Sequence, residues 1–394
     1  MHLTILFDLA IIFGITIGVI IVCNFFKIPH LVGYLITGII LSPKSTDILN
    51  QASEVEAFAE IGVILLLFTI GLEFSFSNLK KIKKYILLGG GLQVLLTISI
   101  SAILILIMGR SYTESIFWGF VTALSSSAIV IKILQDRNEI TSEHGKVILA
   151  MLLFQDIMIV PLMLFTPILA GQVEGNVFME IGLMLGKMVL LGLIAFVLAR
   201  YLMPKFFYQI MKIKSQEVFL IATFFFVIVI TVITYELGLS LALGAFLGGL
   251  IIAETDYNRM AISCILPFRY VFISFFFISM GMLLDFRIFL TAYDLIAFWF
   301  AFIVLVKIFA ATLASRLLNV KFKTALMVGL SIAQIGEFSF VLAQSGLGYE
   351  LIAENSYQVF LAVSILTMAI TPFALEYKSQ VSNSMLKLVP HVKS

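Results

Sequence analysis

About thirteen apolar stretches, nearly free of charge, constrain this chain more than any other feature. They cover 3–26, 29–41, 57–72, 86–108, 116–133, 147–169, 181–199, 218–235, 241–253, 262–284, 293–316, 325–344 and 356–375. The hydrocarbon core of a bilayer is about 30 Å thick and takes roughly 20 helical residues to cross. No water is there to satisfy a bare N–H or C=O, so the backbone must close its own hydrogen bonds. The runs are continuous rather than alternating, which selects helices over strands. Only 12% of the residues are charged, against about 25% in soluble domains. The expected class is therefore an all-α polytopic membrane protein, with membrane lipid as a partner and nucleic acid not among them. The first stretch lacks a charged leader and a small-residue cleavage site, so a retained span is expected. Cys23 and Cys264 offer neither a disulfide framework nor a zinc spacing.

Basic residues set the orientation. With the N-terminus outside, the inner loops carry 19 Lys and Arg, including the cluster Lys80, Lys81, Lys83 and Lys84, while the outer loops carry 3. Lys187, Arg269 and Lys307 remain inside spans. The expectation is thirteen crossings in a bacterial-type inner membrane, with the C-terminus cytoplasmic.

An internal repeat runs through the chain at a spacing of 210 to 211. "GYLITGIIL" (33–41) answers to "GAFLGGLII" (244–252), and Gly71 and Phe76 recur as Gly281 and Phe286. The copies start at the first and eighth stretches, six spans each, so a single connector between them inverts the second. Inverted repeats build many secondary transporters, whose sites lie near the midplane beside interrupted helices at matched positions. "TALSSSAIV" (122–130), shifted by 210, becomes "IAQIGEFSF" (332–340). Thr122, Ser125, Ser126 and Ser127, with Gln334, Gly336 and Glu337, are expected to line two unwound helices. Facing half-helix ends need caps and compensating charge, which the serines and Glu337 can supply.

In "LLFQDI" (152–157), Asp156 lies ten residues into the sixth stretch, about 15 Å along a helix and hence near mid-bilayer. A charge there costs roughly 2.5–3.5 kcal/mol on insertion scales, which marks a functional site. Such a carboxylate holds a dehydrated monovalent cation or a proton, but hardly both, and that competition is what an exchanger requires. Gln155 adds a neutral carbonyl ligand suited to a large, weakly hydrated ion. Pro161 deprives the helix of one backbone bond. Lys307, at equivalent depth in the eleventh stretch, is the expected charge partner of Asp156 or Glu337; the bland reading makes Asp156 and Lys307 a structural salt bridge. No H-E-x-x-H and no Ser/His pair points to an enzyme. A channel-like, ligand-gated potassium pathway without proton coupling is the alternative, but no TVGYG-type filter supports it.

"HLVGYLITGIILSP" (30–43), "LLLFTIGLEFS" (65–75), "TALSSSAIV", "LLFQDI", "FFFISMGMLLDF" (275–286) and "SIAQIGEFSFVLA" (331–343) together resemble the membrane domain of Kef-type transporters. These belong to the monovalent cation:proton antiporter-2 family, of the NhaA-type fold. The resemblance implies a homodimer with two crossed, unwound helices and elevator-like alternating access. It implies a dimerisation domain from 1–84 and 216–290, a core from 85–175 and 291–376, a linker helix over 176–215 and a cytosolic tail over 377–394. Within the family, Gln-Asp accompanies potassium efflux, so K⁺ is favoured over Na⁺ as the ion exchanged for H⁺, with no cofactor in this chain. Kef proteins usually continue into a cytosolic nucleotide-binding regulatory domain. No G-x-G-x-x-G follows the last span, so the expectation is either a partner regulatory domain missing from this chain through truncation, or a stand-alone exchanger. "ISCILPFRY" (262–270) replaces the acidic loop of glutathione-gated members, and glutathione control is not carried over.

Overall fold

The computed structural model describes residues 2–42, 52–73, 85–171, 197–236 and 241–388, with isolated positions 182, 186 and 193. Every described element is helical. The first part holds α1 (His2–Phe25), α2 (His30–Leu41) and α3 (Ala52–Glu73). A π-helical turn (Tyr85–Gly90) leads into α4 (Gly91–Ile107), followed by α5 (Tyr112–Ala123), α6 (Ser127–Asp136) and α7 (Glu143–Leu169). A second π-turn (Leu198–Leu202) opens α8 (Met203–Lys212), then α9 (Gln216–Glu236), α10 (Leu241–Ala253) and α11 (Asn258–Leu283). A single turn, α12 (Ile288–Thr291), precedes α13 (Tyr293–Leu317), α14 (Phe322–Ser331), α15 (Glu337–Gly348) and α16 (Glu354–Leu388).

Eight described segments are long and apolar enough to cross a membrane, and four more apolar helices are shorter. Twelve of the expected stretches coincide with described helices; the seventh and Lys187 lie outside the described residues, apart from a few isolated positions. The expected linker contains a separate short helix, α8, which buries Met203 and Phe207 while Lys212 lies over the Tyr208 ring. Large apolar side chains such as Phe7, Phe25, Ile107 and Leu290 face outward, as lipid-facing surfaces require.

The spacing of 210 survives in the elements. α5 and α14 start at 112 and 322, α6 and α15 at 127 and 337, and α4 and α13 end at 107 and 317. Its glycines do matching jobs. A Cβ on Gly71 of α3 would stand 2.3 Å from the Phe246 carbonyl of α10, and one on Gly281 of α11 would stand 2.1 Å from the Leu35 carbonyl of α2. Small residues let helix backbones approach this closely in lipid, where packing replaces the hydrophobic effect as the driving force.

The chain divides into two compact units. One comprises 51–80 and 171–279, built around α3 and α10 with α9 beside them. The other comprises 1–50, 81–170 and 280–394. Its core is a cluster of Val130, Leu134, Ile148, Met151, Ala311, Val328 and Leu375, where α6, α7, α13, α14 and α16 meet. That cluster holds the broken helices in place.

Candidate ion site at two broken helices

α5 stops at Ala123, Leu124 and Ser126 are extended (φ −88°, ψ 140° and φ −72°, ψ 104°), and α6 begins at Ser127. α14 stops at Ser331 and α15 begins at Glu337. The two interruptions lie against each other. Gly336 N–H donates to the Leu124 carbonyl at 3.2 Å, and Ser125 Oγ donates to the Ile332 carbonyl at 2.8 Å. Gly336 has to be glycine, because a Cβ there would stand 2.5 Å from the Ser125 carbonyl carbon.

Helix ends leave unpaired carbonyls at one side of a break and unpaired amides at the other. At the end of α5, Lys307 Nζ donates to the Thr122 and Leu124 carbonyls at 2.7 Å each, and Ser339 Oγ donates to the Val121 carbonyl at 2.7 Å. At the start of α6, Ser126 Oγ accepts from Ile129 N–H at 3.3 Å. Glu337 opens α15 and accepts from Ser127 Oγ at 3.3 Å through Oε1, while its Oε2 has no partner among the described residues. The ammonium thus serves carbonyl ends and the carboxylate serves amide ends, as the half-helix dipoles favour. Ser127 and Glu337 are themselves 210 positions apart.

α7 carries the remaining groups past this crossing. Gln155 and Asp156 are 1% and 5% exposed. Gln155 Oε1 accepts from Ser125 N–H at 2.8 Å, tying α7 to the first break. Its Nε2 donates to Gln93 Oε1 at 2.6 Å, and Gln93 Nε2 reaches Thr97 Oγ1 at 3.0 Å and the Ala123 carbonyl at 3.4 Å. The glycines before α4 allow this approach: a Cβ on Gly90 would stand 2.2 Å from Phe154 Cβ, one residue before Gln155.

The expected Ser, Thr, Gln, Gly, Lys and Glu residues are thus bonded to, or buried within, the two breaks, and Asp156, also buried, follows Gln155 on α7. Thr122 contributes its carbonyl, because its hydroxyl bonds back to the Trp118 carbonyl at 2.7 Å. Gln334 is buried, and its Nε2 has no partner among the described residues. Lys307 was expected opposite a carboxylate; the hydrogen bonds its ammonium makes here go to main-chain carbonyls. Gln93, Thr97, Ser339 and Thr367, whose Oγ1 accepts from Ile335 N–H at 3.2 Å, escaped sequence reasoning. Gln93 carried a signal all the same, being a lone amide inside the apolar run "GLQVLLT" (91–97).

Residues 10–376 match the family described as "Sodium/hydrogen exchanger, transmembrane". The chain belongs to that family, as a Kef-type cation:proton antiporter membrane domain. It is 33% identical over 355 residues to K(+) efflux antiporter 6 of Arabidopsis thaliana, covering 88% of this chain and 59% of the relative. It is 30% identical over 377 residues to the putative K(+) efflux antiporter KefB of Alkalimonas amylolytica, covering 96% and 57%. The chain therefore spans about three-fifths of the length of these relatives. The sodium proton antiporter MjNhaP1 from Methanocaldococcus jannaschii shares the fold at a TM-score of 0.67 and 16% identity, covering 97% of this chain and 99% of that one.

Proposed function

We propose that the chain exchanges a monovalent cation, K⁺ in preference to Na⁺, for H⁺ across the membrane, with Asp156 as the shared binding carboxylate. The observation that carries this reading is a buried Asp156 following Gln155, a residue hydrogen-bonded to a helix break. Unwound backbone at depth is tolerated where protein covers it or where it lines a cavity, and transporters bind ions at such places. A carboxylate that holds one positive charge at a time couples the two ions: the cation leaves when the proton arrives. Lys307 and Glu337 neutralise the half-helix ends, so the charge that changes during the cycle is the one on Asp156.

The matched elements at a spacing of 210 support two inverted six-helix repeats, and with them thirteen crossings, the N-terminus outside and the C-terminus cytoplasmic. In this reading the core (85–175 and 291–376) moves as an elevator against a dimerisation domain (1–84 and 216–290) in a homodimer. The names of the relatives favour potassium, as does Gln155-Asp156. A single exchanging carboxylate implies one proton per cation and electroneutral transport.

The test uses purified protein in liposomes with a lumenal pH dye, the membrane potential clamped at zero. A K⁺ gradient is expected to drive proton movement, Na⁺ less so, and Asp156→Asn is expected to abolish both. Cation flux without proton movement would instead establish a channel.

A further inference from the structure

Two side-chain amides bridge the break between α5 and α6, and the main chain sets their direction at both ends. A backbone N–H can only donate, so Gln155 must turn Oε1 toward Ser125 N, at 2.8 Å. Its Nε2 then faces Gln93, which must present Oε1, at 2.6 Å. Gln93 Nε2 is left to donate to the Ala123 carbonyl at 3.4 Å and to Thr97 Oγ1 at 3.0 Å. The Thr97 hydroxyl spends its own proton on the Gln93 carbonyl at 2.8 Å, so it meets Gln93 Nε2 as an acceptor. The chain of bonds leaves the backbone at Ser125 and returns to it at Ala123, two residues earlier. In an unbroken helix Ser125 N–H would bond the Val121 carbonyl, but Ser339 Oγ occupies that carbonyl.

We propose that Gln93 and Gln155 form a splint that holds the break open in one geometry, and that Gln93 is thereby a positioning residue for the ion site. Gln155 acts on the ion through the backbone it holds, rather than as a ligand. The transport consequence rests on the function proposed above; the splint itself does not. Each position needs a donor and an acceptor in one side chain. Leucine supplies neither, and a glutamate supplies both only while protonated.

The experiment compares wild type with Gln93→Leu, Gln155→Leu, the double variant and Gln93→Glu. Proteoliposome assays give half-saturation and maximal rate for K⁺ and Na⁺ across pH. Hydrogen exchange at the Ser125 amide is followed on the same proteins. Either leucine variant is expected to raise K⁺ half-saturation about tenfold, equivalent to roughly 1.4 kcal/mol, and to speed exchange at Ser125. The double variant should be no worse than the singles, since a bridge breaks only once. Gln93→Glu is expected to work at low pH and to fail as pH rises, a profile that simple loss of packing would not produce. Wild-type half-saturation in Gln93→Leu, or singles whose effects multiply in the double, would overturn the positioning role. If wild type moves no protons with either cation, the exchange reading falls, and Ser125 exchange alone decides the splint: slow exchange retained in Gln93→Leu overturns it.

Discussion

Lys307 is a fully buried cation whose ammonium meets two carbonyls of an interrupted helix. A buried acceptor stripped of its partner costs about 1–3 kcal/mol. Lys307→Met is therefore expected to lower stability by about 2–5 kcal/mol, measured by thermal or denaturant unfolding in detergent. A loss below about 0.5 kcal/mol would mean that the carbonyls find other donors. Asp156→Asn should behave differently, ending exchange while the fold persists. That both residues sit inside long apolar helices and are buried was legible from hydropathy. The two carbonyls that Lys307 meets were not legible, because the end of α5 exists only once the helix has broken.

At the scale of elements, glycines decide how closely the parts approach. Gly336→Ala would drive a Cβ against main-chain atoms of Ser125, which cannot rotate away. Gly90→Ala would meet Phe154, the neighbour of Gln155. Overpacking of this kind costs typically 1–3 kcal/mol, and both variants are expected to melt earlier and to exchange faster at Ser125. An unchanged melting temperature for Gly336→Ala would show that the breaks do not touch as described. Both breaks were foreseeable, since "LSSS" and "QIGE" interrupt apolar runs at matched positions. α8 was not, because its ten residues mix apolar and basic side chains and carry no spanning signal. Gln93 was missed for a related reason: one amide in an apolar run reads as tolerated polarity until its partners, 30 and 62 positions away, come into contact.

At the scale of the whole molecule, the helix ends at one side of the second unit are tied together. Glu139, in the turn between α6 and α7, accepts from Lys378 of α16 and pairs with His144 at 3.0 Å. Burial pushes the Glu139 carboxyl up, but its bonds to Lys378 and His144 outweigh that and hold it below its ordinary value of 4.5. A carboxyl with a depressed folded value stabilises fully above its ordinary value, and the stabilisation is lost as pH falls through the folded value. Protection of the end of α16 against hydrogen exchange is thus expected at pH 6 and reduced in acid below pH 4.5. Glu139→Gln should be unprotected at both; pH-independent protection in wild type would remove Glu139 from the tie. The overall architecture was largely legible, because the bilayer leaves a long apolar chain few alternatives. These cross-links were not, since solvated loop charges look alike in sequence whether or not they meet.

α16 is 35 residues long, about 52 Å at 1.5 Å per residue, and so outruns a hydrocarbon layer of about 30 Å. Its overhanging end is fastened at three points: Arg137 donates to the Leu375 carbonyl, Lys378 to Glu139, and Ser382 to the Lys323 carbonyl. The first two belong to the α6–α7 turn and the third to α14, so this rod grips one flank of both interrupted pairs. A load carried along α16 therefore bears on both pairs at once.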